Sequence, residues 1–314
     1  MSKASATQDE TGFAAKSDRS DESDASDDVS CVKANPVGTV RTSDGLELAL
    51  YRWPLTAPLR ATVALLHGLA EHAGRYAALA DRLGAVGIEL VAVDLRGHGR
   101  SPGERAWITR FDDYLLDAQA LLKAAARPGV PLFLMGHSMG GTLATLFAIE
   151  RLQAFATEVH PIAGLVLSSP ALAPGKDVPR WMLAASRIVS RWWPRYGAMK
   201  IEPALLSRDA RVVQANRSDP LVHHSAVPAR TGAEILAAMA RIEHGRAALQ
   251  LPVLVYHGTA DKLTEPEGSR AFAAHVGSPD RTLTLYEGAY HETMNDLDRT
   301  RVIEALTQWI LSRA

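Results

Sequence analysis

The sequence predicts an α/β fold: a mostly parallel sheet flanked by helices, with an inserted, mainly helical cap. Three observations carry this. Short, continuously apolar runs recur along the chain, as strands buried on both faces require. Amphipathic segments of helical period separate them, so strands and helices alternate. Between about 170 and 230 the alternation stops, and prolines, tryptophans and basic residues take over.

Residues 1–30 come first and do not join the fold. They hold three basic and eight acidic residues and almost no large apolar ones, which predicts a disordered acidic tail. Residues 31–314 then form the folded unit. VGTVRT (37–42) and LELALYRW (46–53) read as two strands joined at Asp44-Gly45, a hairpin signal. ATVALL (61–66), IELVAVD (88–94), PLFLMG (131–136) and IAGLVLSS (162–169) read as buried parallel strands. LPVLVYHG (251–258) and RTLTLYEG (281–288) extend the set. Helical patterns lie near 74–86, 111–127, 139–153, 232–246, 266–275 and 299–313. The irregular stretch at about 170–230 holds three of the six tryptophans. It reads as a cap over the carboxyl edge of the sheet, where sites form in open α/β folds.

Composition narrows the function classes. Hydrophobic residues make up 47% and charged residues 22% of 314, enough for a large core without metal or disulfide support. The net charge of -1 gives no electrostatic footprint for nucleic acid. The single cysteine, Cys31, cannot form an internal disulfide, which fits a cytoplasmic or other reducing setting. No apolar run is long enough to span a membrane, and the acidic start is unlike a signal or transit peptide. Contact with a membrane surface stays open.

Residues 136–140 read Gly-His-Ser-Met-Gly, the G-x-S-x-G pattern, between the strand PLFLM and the helix GTLATLFAIE. That context places Ser138 on a tight strand-to-helix turn with its hydroxyl exposed. Gly136 and Gly140 leave room where the backbones approach. The Met139 amide, at the helix start, is a candidate oxyanion donor. A second donor is expected from His67-Gly68-Leu69 after the third strand, with the Leu69 amide in that role. His67 is read as a support of this loop through hydrogen bonds.

In sheets of this kind the acid and base follow the nucleophile in that order. Asp261 lies just beyond LVYHG and is the candidate acid; Glu265, four residues on and before Pro266, instead reads as a helix start. His291 follows the last strand and is the candidate base. His137 is expected to point away from the triad, and His98, His257 and His275 are read as structural or solvated. His67 and His72 lack a metal-ligand spacing, so no metal is assigned. The resulting chemistry is acyl transfer through Ser138, His291 and Asp261, and it needs no cofactor.

These stretches together resemble the monoacylglycerol lipase and lysophospholipase group of the α/β-hydrolase superfamily. The resemblance rests on LLHGLAEHAGRY (65–76), VAVDLRGHGRSPGERAW (91–107), LFLMGHSMGG (132–141), NRSDPLVHH (216–224), YHGTADKLTEPEGS (256–269) and LYEGAYHETMND (285–296). It covers roughly residues 37–312 and implies an eight-stranded sheet. It also implies a Ser138, Asp261, His291 triad and oxyanion amides at Leu69 and Met139. The implied substrate is a lipid ester, a monoacylglycerol first, with a lysophospholipid or a simple short-chain ester as the alternative. The family's mobile cap, which touches membranes, corresponds to about 170–230. There Trp181, Met182, Leu183, Ile188 and Val189 suggest one apolar face, with Trp192 and Trp193 at a lipid–water boundary. Arg180, Arg187, Arg191 and Arg195 would face anionic headgroups. The sequence does not set an oligomeric state.

Overall fold

The computed structural model describes residues 34–176 and 178–314, without the side chains of Arg180 and Ala184. The predicted acidic tail, residues 1–30, and Cys31 lie outside the described residues.

The chain opens with β1 (Gly38–Arg41) and β2 (Glu47–Arg52), an antiparallel hairpin pairing Gly38 with Leu50 and Arg41 with Glu47. Gly45 at the turn has φ 90°, a conformation that glycine adopts without steric cost. Next come β3 (Ala61–Leu66), α1 (Ala77–Gly84), β4 (Ile88–Val93), α2 (Asp112–Ala125) and β5 (Leu132–His137). Two helices follow, α3 (Met139–Glu150) and α4 (Leu152–Glu158), and then β6 (Ile162–Ser168). The sequence suggested one helix over 139–153. The chain instead breaks at Arg151 and starts a second turn of helix that periodicity did not separate.

The insertion holds α5 (Arg180–Trp192), β7 (Gly197–Met199), α6 (Ala210–Ser218) and β8 (Val227–Pro228). It is mainly helical, as expected, but β7 and β8 pair antiparallel where no strand was foreseen. The chain returns through α7 (Ala229–Gly245), which packs on both α3 of the core and α5 of the cap. It ends with β9 (Val253–Gly258), α8 (Pro266–His275), β10 (Arg281–Tyr286) and α9 (Arg299–Leu311).

The eight-stranded sheet runs β1-β2-β4-β3-β5-β6-β9-β10. Only the β1–β2 and β2–β4 pairs are antiparallel. Every residue of β3, β4, β5 and β9 is buried, which accounts for their continuous apolar runs. Alternation then divides each strand between two cores. Val63, Leu65, Phe133 and Met135 face one layer, which includes Leu83 and Trp309. Ala64, Leu66, Leu132 and Leu134 face the other, with Leu143 and Phe147. Helices on both faces leave the carboxyl ends of β3, β5, β9 and β10 as the place where loops meet.

Candidate active site

The turn from β5 to α3 is shaped by what its glycines lack. A Cβ on Gly136 would lie 2.1 Å from the Gly140 carbonyl oxygen. One on Gly140 would lie 2.1 Å from the Leu66 carbonyl oxygen. Ser138, between them, sits at φ 55° and ψ -120°, a strained backbone for an L residue. Hydrogen bonds hold it there. Its amide donates to the Ser168 carbonyl at 3.0 Å, and its carbonyl accepts from Gly141 (2.9 Å) and Ala171 (3.1 Å). Met139 opens α3, so its amide has no intrahelical acceptor.

The loop after β3 runs beside this turn. A Cβ on Gly68 would come within 3.2 Å of the Ser138 Cβ, so glycine is what permits the approach. His67 supports the loop as expected. The Leu95 amide donates to its Nε2 (2.9 Å), leaving Nδ1–H for the Gly68 carbonyl (2.7 Å). The Gly68 amide donates to Glu71 Oε1 at 2.6 Å. Leu69 is buried, and Ala70 has φ 66°. The Ala70 carbonyl accepts from the His223 amide of the cap at 2.8 Å.

Asp261 and His291 come together across the β9–β10 edge. His291 Nδ1 lies 2.7 Å from Asp261 Oδ2. The Leu263 and Thr264 amides donate to Oδ1 at 2.8 and 3.1 Å, and the Thr264 hydroxyl donates to Oδ2 at 2.8 Å. Burial alone would raise the Asp261 pKa. The donors around it, His291 foremost, outweigh burial and hold the carboxyl well below its ordinary range. Burial likewise disfavours charge on His291, but the adjacent Asp261 carboxylate overcomes it and raises the imidazole above its ordinary value. Glu265 caps α8 and accepts from the Lys176 amide at 3.1 Å, in keeping with a helix start.

Ser138, His291, Leu69 and Met139 all line one cavity of ≈ 600 Å³. Its wall is mostly apolar, with Met182, Leu183 and Val189 from α5 and Ile235, Leu236 and Met239 from α7. At its polar end Arg75 bridges two carboxylates. It reaches Glu71 at 2.6 Å and Glu292 at 2.7 and 2.9 Å. Burial acts to raise Glu71, yet Arg75 holds it well below its ordinary range.

One histidine differs from the sequence reading. His137 does not point away: its ring lies 4.7 Å from that of His291, and its Nδ1 is 3.1 Å from the Ser168 hydroxyl. His137 ends β5 on the same side as Phe133 and Met135 and packs beside Tyr76, where the loop after β10 brings His291. His257, read as structural or solvated, is fully buried, with its Nε2 3.0 Å from Asp261 Oδ2. The spacing of four residues between His257 and the candidate acid was the available signal. Sequence reasoning also missed the Glu71–Arg75–Glu292 bridge, although Glu71 and Arg75 lie within the quoted oxyanion stretch.

Among the described residues, no group of three or more His, Cys, Asp or Glu could hold a metal ion. None of their helices is long and apolar enough to cross a membrane.

Sheet order, strand-to-helix serine turn and inserted cap are those of an α/β-hydrolase of the serine-hydrolase class. A family model described as "Serine aminopeptidase, S33" matches residues 57–298. The chain is 34% identical over 270 residues to the monoacylglycerol lipase of Mycolicibacterium smegmatis, covering 85% of this chain and 94% of the relative. It is 33% identical over 276 residues to the monoglyceride lipase of Homo sapiens, covering 86% and 89%. The crystal structure of Paleococcus ferrophilus monoacylglycerol lipase is similar with a TM-score of 0.72 at 34% identity, covering 84% of this chain and 99% of that one. The chain therefore belongs to the monoacylglycerol lipase and lysophospholipase branch of the α/β-hydrolase superfamily, and it is an ester hydrolase.

Proposed function

We propose that the protein hydrolyses monoacylglycerols to glycerol and free fatty acid through an acyl-enzyme on Ser138. The observation that carries this is the His291–Asp261 hydrogen bond of 2.7 Å at an apolar cavity that also receives Ser138. In this reading Asp261 keeps the His291 proton on Nδ1, which leaves Nε2 basic. His291 takes the Ser138 proton as the oxygen attacks the ester carbonyl. The amides of Leu69 and Met139 hold the oxyanion, each donor worth about 10²–10³ in rate. His291 then protonates the leaving glycerol, and water repeats the cycle on the acyl-enzyme. The protein's own groups supply each step, so no cofactor enters.

The substrate assignment follows from the cavity and the relatives. One apolar wall of cap and α7 residues suits a single acyl chain, and the polar end suits a small hydroxylated head. The family description includes aminopeptidases, whose substrates carry an amine. Of the carboxylates that line the cavity, Glu71 and Glu292 are bonded to Arg75 and Glu265 caps α8, so none stands as a dedicated anchor for an amine. The cap is proposed to meet the lipid surface: Trp181, Ile188 and Trp192 lie on one stripe of α5 and are 69%, 59% and 69% exposed.

The test is a panel of monoacylglycerols, diacylglycerols, lysophosphatidylcholine and short nitrophenyl esters, with wild type and Ser138→Ala. Highest kcat/KM on monoacylglycerols, lost in the variant, is the expected result. Turnover that survives in Ser138→Ala would remove Ser138 from its role. A preference for lysophosphatidylcholine would move the substrate to the phospholipid class.

A further inference from the structure

A second buried histidine shares the carboxylate that His291 uses. His257 is the penultimate residue of β9 and has no exposed surface. Its Nε2 is 3.0 Å from Asp261 Oδ2 and its Nδ1 is 2.7 Å from the Ser269 hydroxyl on α8. An ionised carboxylate only accepts hydrogen bonds, so the His257 tautomer that fits Asp261 has its proton on Nε2. Its Nδ1 then accepts from Ser269, which is itself fully buried. The result is a chain of contacts from Ser269 through His257 and Asp261 to His291.

We infer that His257 is a positioning residue for the acid–base pair: its Nε2–H fixes the rotation of the Asp261 carboxylate and draws off part of the charge offered to His291. The inference rests on the reading of Ser138, Asp261 and His291 as the triad. Oδ1 is occupied by two backbone amides, whereas Oδ2 serves the Thr264 hydroxyl, His257 and His291 together. The two imidazoles thus compete for one oxygen. Without the His257 donor, Asp261 presents more charge to His291 and loses one constraint on its rotation. His291 is faced by Asp261, by the His137 ring at 4.7 Å, and by the charges of Glu292 and Glu71. His257 is faced by Asp261 and by the hydroxyls of Thr264 (3.2 Å) and Ser269. Asp261 is the charged group common to both, so it is the route by which His257 acts on the base.

The experiment compares the full-length wild type with His257→Leu, His257→Gln, Ser269→Ala and Ser138→Ala on a soluble nitrophenyl ester. It reads kcat and KM across pH, together with the thermal midpoint. His257→Leu should move the acid limb of kcat/KM upward by about half a pH unit or more and lower kcat about tenfold, with KM little changed. His257→Gln keeps an N–H donor and should restore both. Ser269→Ala frees Nδ1 to take the proton away from Nε2, and should move the limb the same way by less. A folded His257→Leu with a lower thermal midpoint and an unmoved limb would make His257 a core residue only and overturn the inference. If the Leu variant does not fold, Ser269→Ala decides: a limb unmoved from wild type overturns it. Turnover persisting in Ser138→Ala identifies the triad reading as what failed. Loss there with an unmoved limb in the His257 series confines the failure to this inference.

Discussion

Ser138 is held at a positive φ that few L residues adopt, and the flanking glycines are required by carbonyl oxygens 2.1 Å from where a Cβ would sit. Gly140→Ala should therefore destabilise the protein by more than the cost of an ordinary surface change and lower kcat, measured by urea unfolding and ester turnover. The Asp261 carboxylate raises the proposed base above the ordinary imidazole value of 6.5, so kcat/KM should fall on the acid side with a midpoint above pH 6.5. Two other histidines move the opposite way. Burial, reinforced by neighbouring histidines, pushes His98 down to about 3 and His137 down to about 4. Both stay neutral in the folded protein where the unfolded chain would protonate. The stability they contribute is complete above pH 6.5 and is lost as pH falls toward 4 and 3. Thermal midpoints measured against pH should decline over that window.

At the scale of elements, the cap helix α5 divides its apolar residues between two directions. Leu183 and Val189 turn to the cavity, while Trp181, Ile188, Trp192 and Trp193 stand exposed. The single apolar face suggested by the sequence is thus two faces. Arg195, expected toward headgroups, instead pairs with Glu104 at 2.9 Å and stacks over Trp107 at 4.6 Å. Arg187 and Arg191 are exposed, and the side chain of Arg180 is outside the described residues. Trp181→Ser with Trp192→Ser should leave turnover of a soluble short ester within about twofold and reduce activity on long-chain monoacylglycerol in liposomes about tenfold. Equal loss on both substrates would assign these tryptophans to the pocket rather than to a surface.

Across the whole molecule, Arg75 joins loops 217 residues apart, tying the stretch that carries Leu69 to the stretch that carries His291. The Leu206 carbonyl of the cap accepts from the Glu292 amide at 2.8 Å, so the insertion is anchored to the same place. Arg75→Met would leave Glu71 and Glu292 buried without their common partner. Breaking a buried pair of this kind costs about 3–5 kcal/mol, which urea unfolding would register.

Strands β3 to β6, β9 and β10, the strand-to-helix turn at Ser138, and the placing of Asp261 and His291 just past late strands were legible in the residue order. Each is written in a local pattern: a buried run of one strand's length, glycines around a turn, or a polar residue just past a strand's end. The nearness of His137 to His291, the second histidine on Asp261, the Arg75 bridge and the two faces of α5 were not. These depend on which distant segments meet and on which neighbours each buried side chain then reaches. Packing around the carboxyl edge of the sheet sets both, because buried charge and buried imidazole must find partners wherever the chain brings them.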